Sequence, residues 1–278
     1  MERSKDKFKV GLIQMTSSHV MDDNIRVADE LIRQAASQGA EFILTPEMTT
    51  LLDFESKQVL KKITIERDTS WRHFSSLAKE LGVWLLIGSI AIKVGKKATN
   101  KSFLFSPEGK KIATYDKIHM FDVNLPGEDA YKESSVYVAG TEAVVASLPW
   151  GKVGLSICYD LRFPYLYRAL SHAGAVMLTV PAAFTEQTGT AHWHALLRAR
   201  AIENGAFVFA PAQCGKHTNG RRTYGHSLIV DPWGKIISDG GNEIGVTVTE
   251  VNMEQVVRAR NSIGSLTHDK NIVIQTVS

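Results

Sequence analysis

The stretch GKVGLSICYDLRFP, residues 151–164, decides how the rest of the chain is read. Val153 to Ile157 is a short run of apolar and small residues, the pattern of a strand buried on both faces. Cys158 follows it, then Tyr159, Asp160 and Arg162, and Pro164 opens a segment of helical spacing that runs to about His172 and stops at Gly174. In open α/β sheets, ligands collect beyond the carboxyl ends of strands, so a thiol at that place is a candidate for chemistry.

Outward from this stretch the same alternation recurs. Apolar, β-branched runs predict strands at 8–15, 41–45, 83–92, 152–157, 175–180, 207–212, 226–230 and 244–251. Helical spacing predicts one helix capped by Asp22 or Asp23 and stopped at Gly39, and a second from about Thr69 to Leu81 closed by Gly82. Another runs from about Thr190 to Asn204 and is closed by Gly205, with Trp193, Leu196, Leu197 and Ile202 as packing residues and Arg198 or Arg200 paired internally. NKSFLFSPEGKKIATYDKI reads as a hairpin around Ser106-Pro107-Glu108-Gly109, and DPWGKII at 231–237 repeats that pattern. The sum is an α/β protein with a mixed sheet and helices on its outer faces. No repeat or linker divides the chain, so residues 1–278 read as one domain, with 265–278 a tail expected to pack on the rest of the protein or on a second subunit.

The 278 residues are 44% hydrophobic, enough for a substantial core. The formal charge of +3, from 32 basic and 29 acidic residues, gives no electrostatic footprint for nucleic acid or an anionic membrane. No apolar run is long enough to span a bilayer, and MERSKDKFKV lacks the apolar region of a signal peptide. Two cysteines, Cys158 and Cys214, make no disulfide framework and suit a reducing compartment. These features predict a cytoplasmic protein. Phosphate-binding glycine loops are missing, and His192 and His194, two apart on a predicted helix, face apart and do not read as metal ligands with Cys158 or His172.

Two further polar residues follow apolar runs: Glu47 after EFILTP and Lys117 in ATYDKIHMFD. Singly, each reads as a loop charge, and Cys158 as a small core residue. Together a carboxylate, an ammonium and a thiol supply what acyl transfer at nitrogen needs. TPEM at 45–48, YDKIHMFD at 115–122 and SICYDLRFP at 156–164, in that order, resemble the three signature blocks of the nitrilase superfamily of carbon-nitrogen hydrolases.

The resemblance implies a four-layer α-β-β-α sandwich and a catalytic triad of Glu47, Lys117 and Cys158, with no metal or organic cofactor. It also implies a supporting second glutamate, matched by Glu133, Glu128 reading instead as a solvated loop charge. Chemically, Glu47 serves as general base and Lys117 stabilises anionic sulfur and oxyanion. The amide N–H of Tyr159 offers a second oxyanion donor, by analogy with nucleophile elbows. The products would be an acid and ammonia. The cysteine block usually continues RFPE, and here Tyr165 replaces that glutamate. Asp160 and Arg162 read as a structural ion pair.

Residues 185–234, TEQTGTAHW through YGHSLIVDPWG, look most like the branch that hydrolyses deaminated glutathione, next to the branch acting on α-ketoglutaramate. His217, Arg221 and Arg222, with Lys216, form a basic loop able to receive substrate carboxylates, or a solvated surface loop. Cys214 reads as a buried structural thiol. A homodimer or larger homo-oligomer is implied by the resemblance. A different class, a non-catalytic binding or dimerisation module on the same sandwich, is disfavoured by the presence of all three triad residues.

Overall fold

The structure is a computed structural model and describes residues 6–53, 56–65, 70–126, 130–218 and 220–277. Strands β1 (Lys7–Gln14), β2 (Phe42–Leu44), β3 (Trp84–Val94), β4 (Lys97–Phe105) and β5 (Lys111–Asp116) join one sheet. Two short ribbons punctuate the chain: β6 (Asp122–Val123) with β7 (Tyr131–Lys132), and β12 (Cys214–Lys216) with β13 (Arg222–Tyr224). A second sheet holds β8 (Val145–Leu148), β9 (Gly151–Leu155), β10 (Ala175–Thr179), β11 (Phe207–Ala210), β14 (Leu228–Val230) and β15 (Ile236–Asp239). The last strand, β16 (Gly245–Asn252), returns to the first sheet, whose order is β16-β1-β2-β3-β4-β5. The mixed sheet read from the sequence is therefore two sheets. Each has three adjacent parallel strands, β1-β2-β3 and β9-β10-β11, flanked by antiparallel ones.

Two-residue periodicity explains why the first sheet is apolar on both sides. Leu12, Phe42, Leu44, Leu86 and Leu104 face the second sheet, and their neighbours Ile13, Ile43, Leu85, Ile87, Phe103 and Phe105 meet the helices α1 (Met21–Ser37) and α3 (Ser70–Leu81). A helix α2 (Ser56–Ile65) precedes α3. On the far side, α4 (Pro164–His172) and α5 (Glu186–Asn204) place Leu166, Leu170, Trp193 and Leu197 on the second sheet. The result is the α-β-β-α sandwich. Phe8 of β1 stacks on Trp150, in the β8–β9 turn, with ring centroids 4.0 Å apart and clasps the two sheets together.

Several local expectations need correction. α1 is capped at Val20, and Asp22 and Asp23 lie in its first turn, because Asn24 fixes the entry by bonding Ser18 and Thr50. α5 begins a turn earlier than predicted, at a Thr185 cap that accepts the Thr188 amide, since Gly189 in its second turn hides the start. Gly189 is needed there: a Cβ would lie 2.3 Å from Tyr224. Ile202, expected in the core, is half exposed beside Gly234. Arg200 does pair internally, with the Leu161 carbonyl and Glu203, and Arg198 bonds the Gly234 carbonyl. A final helix, α6 (Glu254–Ser262), was not read from the sequence. The start of the tail docks through Arg168 and His172 to Asp269, while Ile272, Val273 and Ile274 are exposed. Among the described residues no helix is long and apolar enough to cross a membrane.

Candidate active site

Three chain segments leaving strand ends converge on one cleft of about 950 Å³. Beyond β2, the segment Thr45–Thr49 is locked: the Thr45 amide donates to Leu86, the Thr49 amide to Ser89, and the Met48 amide to Ser89 Oγ. Met48 takes a left-handed φ of +56°, and the turn sends Glu47 inward. Beyond β5, Lys117 donates its amide to Asn100 and accepts from Gly140, so its backbone is fixed between two neighbours. Beyond β9, Ser156 Oγ donates to the Thr179 carbonyl, the Cys158 amide donates to Pro181, and the chain enters one turn of 3-10 helix, Cys158–Arg162. Cys158 itself has φ +47°, a conformation that costs a non-glycine residue about 1–3 kcal/mol and persists only where surrounding bonds enforce it.

The side chains meet. Lys117 Nζ donates to Glu47 Oε1 at 2.9 Å and to both oxygens of Glu133, at 3.0 and 2.9 Å. Asn100 Nδ2 donates to Glu47 at 2.9 Å and to Glu133 at 3.2 Å. The Ala183 amide holds the other Glu47 oxygen at 2.9 Å, and the Phe121 amide holds Glu133 at 2.6 Å. Glu47, Lys117 and Cys158 are all buried, and all line the cleft with Glu133 and Tyr159.

Burial by itself would raise the Glu47 carboxyl. The charge and hydrogen bond of Lys117, with the Cys158 thiol and the Ala183 amide, outweigh it and hold Glu47 below its ordinary 4.5. Burial likewise opposes the charge on Lys117, but Glu133 and Glu47 keep the ammonium well above 10.5. Burial and then the charge of Glu47 push the Cys158 thiol well above 9.0, against the pull of Lys117. The resting site is thus carboxylate, ammonium and neutral thiol, with the base beside the proton it would take.

Asp160 does not pair with Arg162 as expected. It is fully buried and accepts from the Ile157 amide, the His119 amide and ring, and Tyr115 Oη, which ties the nucleophile turn to β5 and to the segment after it that carries Lys117. Arg162 lies over the rings of Tyr159 and Phe184 and reaches His192. Tyr165, at the position where the resemblance leads us to expect glutamate, puts its hydroxyl on His119 Nε2 and so closes the same network from outside. Of the basic loop, Arg221 and Arg222 line the cleft; Arg221 lies 4.2 Å over Tyr131, and Arg222 pairs with Glu186. His217 is not brought to the cleft: it is buried, one ring nitrogen on Ser17 O and the other on Thr223 Oγ1. Glu128 lies outside the described residues. Asn100 was missed, although an asparagine inside a strand pattern is itself a warning, since that residue is depleted from strands.

A family model described as carbon-nitrogen hydrolase matches residues 9–261. The chain is 42% identical to a deaminated glutathione amidase of Synechocystis over 92% of this chain and 96% of that protein. It is 36% identical to one of Homo sapiens, over 93% and 81%. Among solved structures it resembles the C. elegans NitFhit protein with a TM-score of 0.91 at 32% identity, covering 96% of this chain and 66% of that longer one. Saccharomyces cerevisiae Nit3, of the nitrilase superfamily, aligns with a TM-score of 0.83 at 29% identity, covering 95% and 96%. A match over nearly the whole sandwich, cleft included, makes the chain a member of the carbon-nitrogen hydrolase family.

Proposed function

We propose that the protein is an amidase that cleaves deaminated glutathione through a thioester on Cys158. The observation that carries the reading is the buried network of Glu47, Lys117 and Glu133 in the cleft that also holds the Cys158 thiol. Glu47 takes the thiol proton as sulfur attacks the amide carbonyl carbon. The carbonyl oxygen becomes an oxyanion, met by the Lys117 ammonium and the Tyr159 N–H. Collapse breaks the carbon–nitrogen bond, and Glu47 returns its proton to the departing nitrogen. Water, deprotonated by Glu47, then splits the thioester and frees the acid and the thiol. Glu133 and Asn100 keep Lys117 and Glu47 aligned throughout.

Both amide nitrogens of deaminated glutathione carry a carbon substituent, so the group released there is an amine, whereas a primary amide such as α-ketoglutaramate releases ammonia. Relatives named for deaminated glutathione support the first substrate, as do Arg221 and Arg222 beside the cleft, which suit carboxylates. The same reading takes in a homodimer or larger homo-oligomer, supported by the exposed apolar residues Ile272–Ile274, and a reducing cytoplasm, supported by two free thiols. The test measures amine release from deaminated glutathione beside ammonia release from α-ketoglutaramate and simple aliphatic amides. The expected result is kcat/KM at least about tenfold higher on deaminated glutathione, a preference of about 1.4 kcal/mol; a preference for α-ketoglutaramate would overturn the substrate assignment, and inactivity on every amide would overturn the enzyme.

A further inference from the structure

Away from the cleft nucleophile, the described residues contain one cluster of three side chains able to hold a metal ion: His194 on α5, His226 between β13 and β14, and Asp239 at the end of β15. One ligand atom from each lies within 4.8 Å of the other two. Asp239 is the hub. Its oxygens stand 2.9 and 3.1 Å from His226 Nδ1, and Oδ2 stands 3.4 Å from His194 Nε2. Ligands about 2.0–2.1 Å from a tetrahedral ion are separated by roughly 3.3 Å, so these gaps need only small side-chain rotations to accept one.

The surroundings hold the three in register. The Gly241 amide donates to Asp239 Oδ1 at 2.9 Å. Tyr224 stacks on the His226 ring with centroids 4.5 Å apart. Trp193 Nε1 donates to the His226 carbonyl, and the His226 amide donates to Gly241. His226 has φ +53°, and among the described residues only Met48 and Cys158, beside and within the catalytic cluster, share that left-handed strain without being glycine. Strain of this kind is kept where it aims a side chain. A single histidine would suffice to tether Asp239; a second, arriving from a different element, makes a chelate.

We propose that His194, His226 and Asp239 bind one divalent first-row transition ion of the zinc class. Two imidazoles and one carboxylate suit Zn²⁺, Co²⁺ or Ni²⁺ better than Mg²⁺ or Ca²⁺, and the exposed Asp239 side leaves the fourth position to water. The short His226–Asp239 contact needs a proton on Nδ1 in the empty site. Binding moves that proton to Nε2, and the Nδ1 lone pair goes to the ion. The ion would fasten α5, whose first turns at Glu186, Gln187, Thr188 and Thr190 line the cleft, to the end of β15. The site does not depend on which amide the enzyme cleaves.

The test titrates chelator-treated Cys158→Ala protein with Co²⁺, the substitution removing the cleft thiol as a competing ligand. The expected result is uptake of one equivalent with tetrahedral visible bands and no thiolate charge-transfer band, displaced by Zn²⁺, and a Tm several degrees higher at saturating ion. His194→Gln and Asp239→Asn should each weaken binding about 100-fold. His226→Asn serves for the third ligand because asparagine tolerates the left-handed conformation. Imidazole ¹⁵N shifts of the unsubstituted protein on adding Zn²⁺ give a readout that no variant's folding can confound: His194 and His226 should both move. No saturable uptake, uptake undiminished in the variants, or shifts confined to other histidines would overturn the site.

Discussion

Cys158 keeps its proton at rest and Glu47 does not, so the reaction begins with a base already charged. Cys158→Ala should lower amide hydrolysis by about 10⁴-fold or more, as removal of a nucleophile does. Cys214→Ala should leave most of the activity, because Cys214 is buried and its hydroxyl neighbour, Thr16, is no base. A Glu47 carboxyl held below 4.5 stays ionised as pH falls through the ordinary carboxylate range. The acid limb of kcat/KM should therefore lie below pH 4.5, and Asn100→Ala, which strips a hydrogen bond from Glu47, should move it upward. The same shift is a stability term: being depressed in the fold, it stabilises above the unfolded value and is lost as pH falls through the folded one. A wild-type limb near neutrality would assign the base to a different group.

At the scale of elements, the site depends on how closely strand ends approach. Gly88 of β3 lies against the Thr45 and Pro46 carbonyls, where an added Cβ would sit 2.1 and 2.4 Å away. Gly88→Ala must push the Glu47 segment off the strand, and a loss of about 3 kcal/mol or more is expected in urea denaturation, with activity falling at the same time. The nucleophile turn is held from beneath by Asp160, whose carboxylate takes four donors. Asp160→Ala leaves those donors buried without an acceptor and should cost about 3–5 kcal/mol. Tyr165→Phe removes only the outer hydroxyl of a residue that is 63% exposed, so a change within about 1 kcal/mol is expected in the same denaturation experiment. Equal losses in the two variants would mean that the network is anchored at its surface end.

For the whole molecule, the two sheets repeat one pairing order, antiparallel, parallel, parallel, antiparallel, antiparallel, on unrelated sequences. They share one interior, clasped by Phe8 and Trp150, so Phe8→Ala should cost about 3–5 kcal/mol in a single cooperative urea transition with unchanged slope. Two separate transitions would show sheets that fold independently. All the strands of the two sheets except β8, four of the helices, and the order of acid, amine and thiol were legible in the sequence, because burial on two faces writes apolar runs and punctuation by glycine and proline is local; β8 and the two short ribbons were not read. The capping of α1 was misread, since Asn24 works through Thr50, 26 residues away. By itself the sequence determined which chemical groups end which strands, for that depends on near neighbours alone. Only the tertiary structure decided that strand ends from opposite sheets meet at one cleft, that Asn100 spans both glutamates, that His217 faces elsewhere, and that His194, His226 and Asp239 converge. Those are distances between residues far apart in the chain, set by how two sheets pack, and no local pattern encodes them.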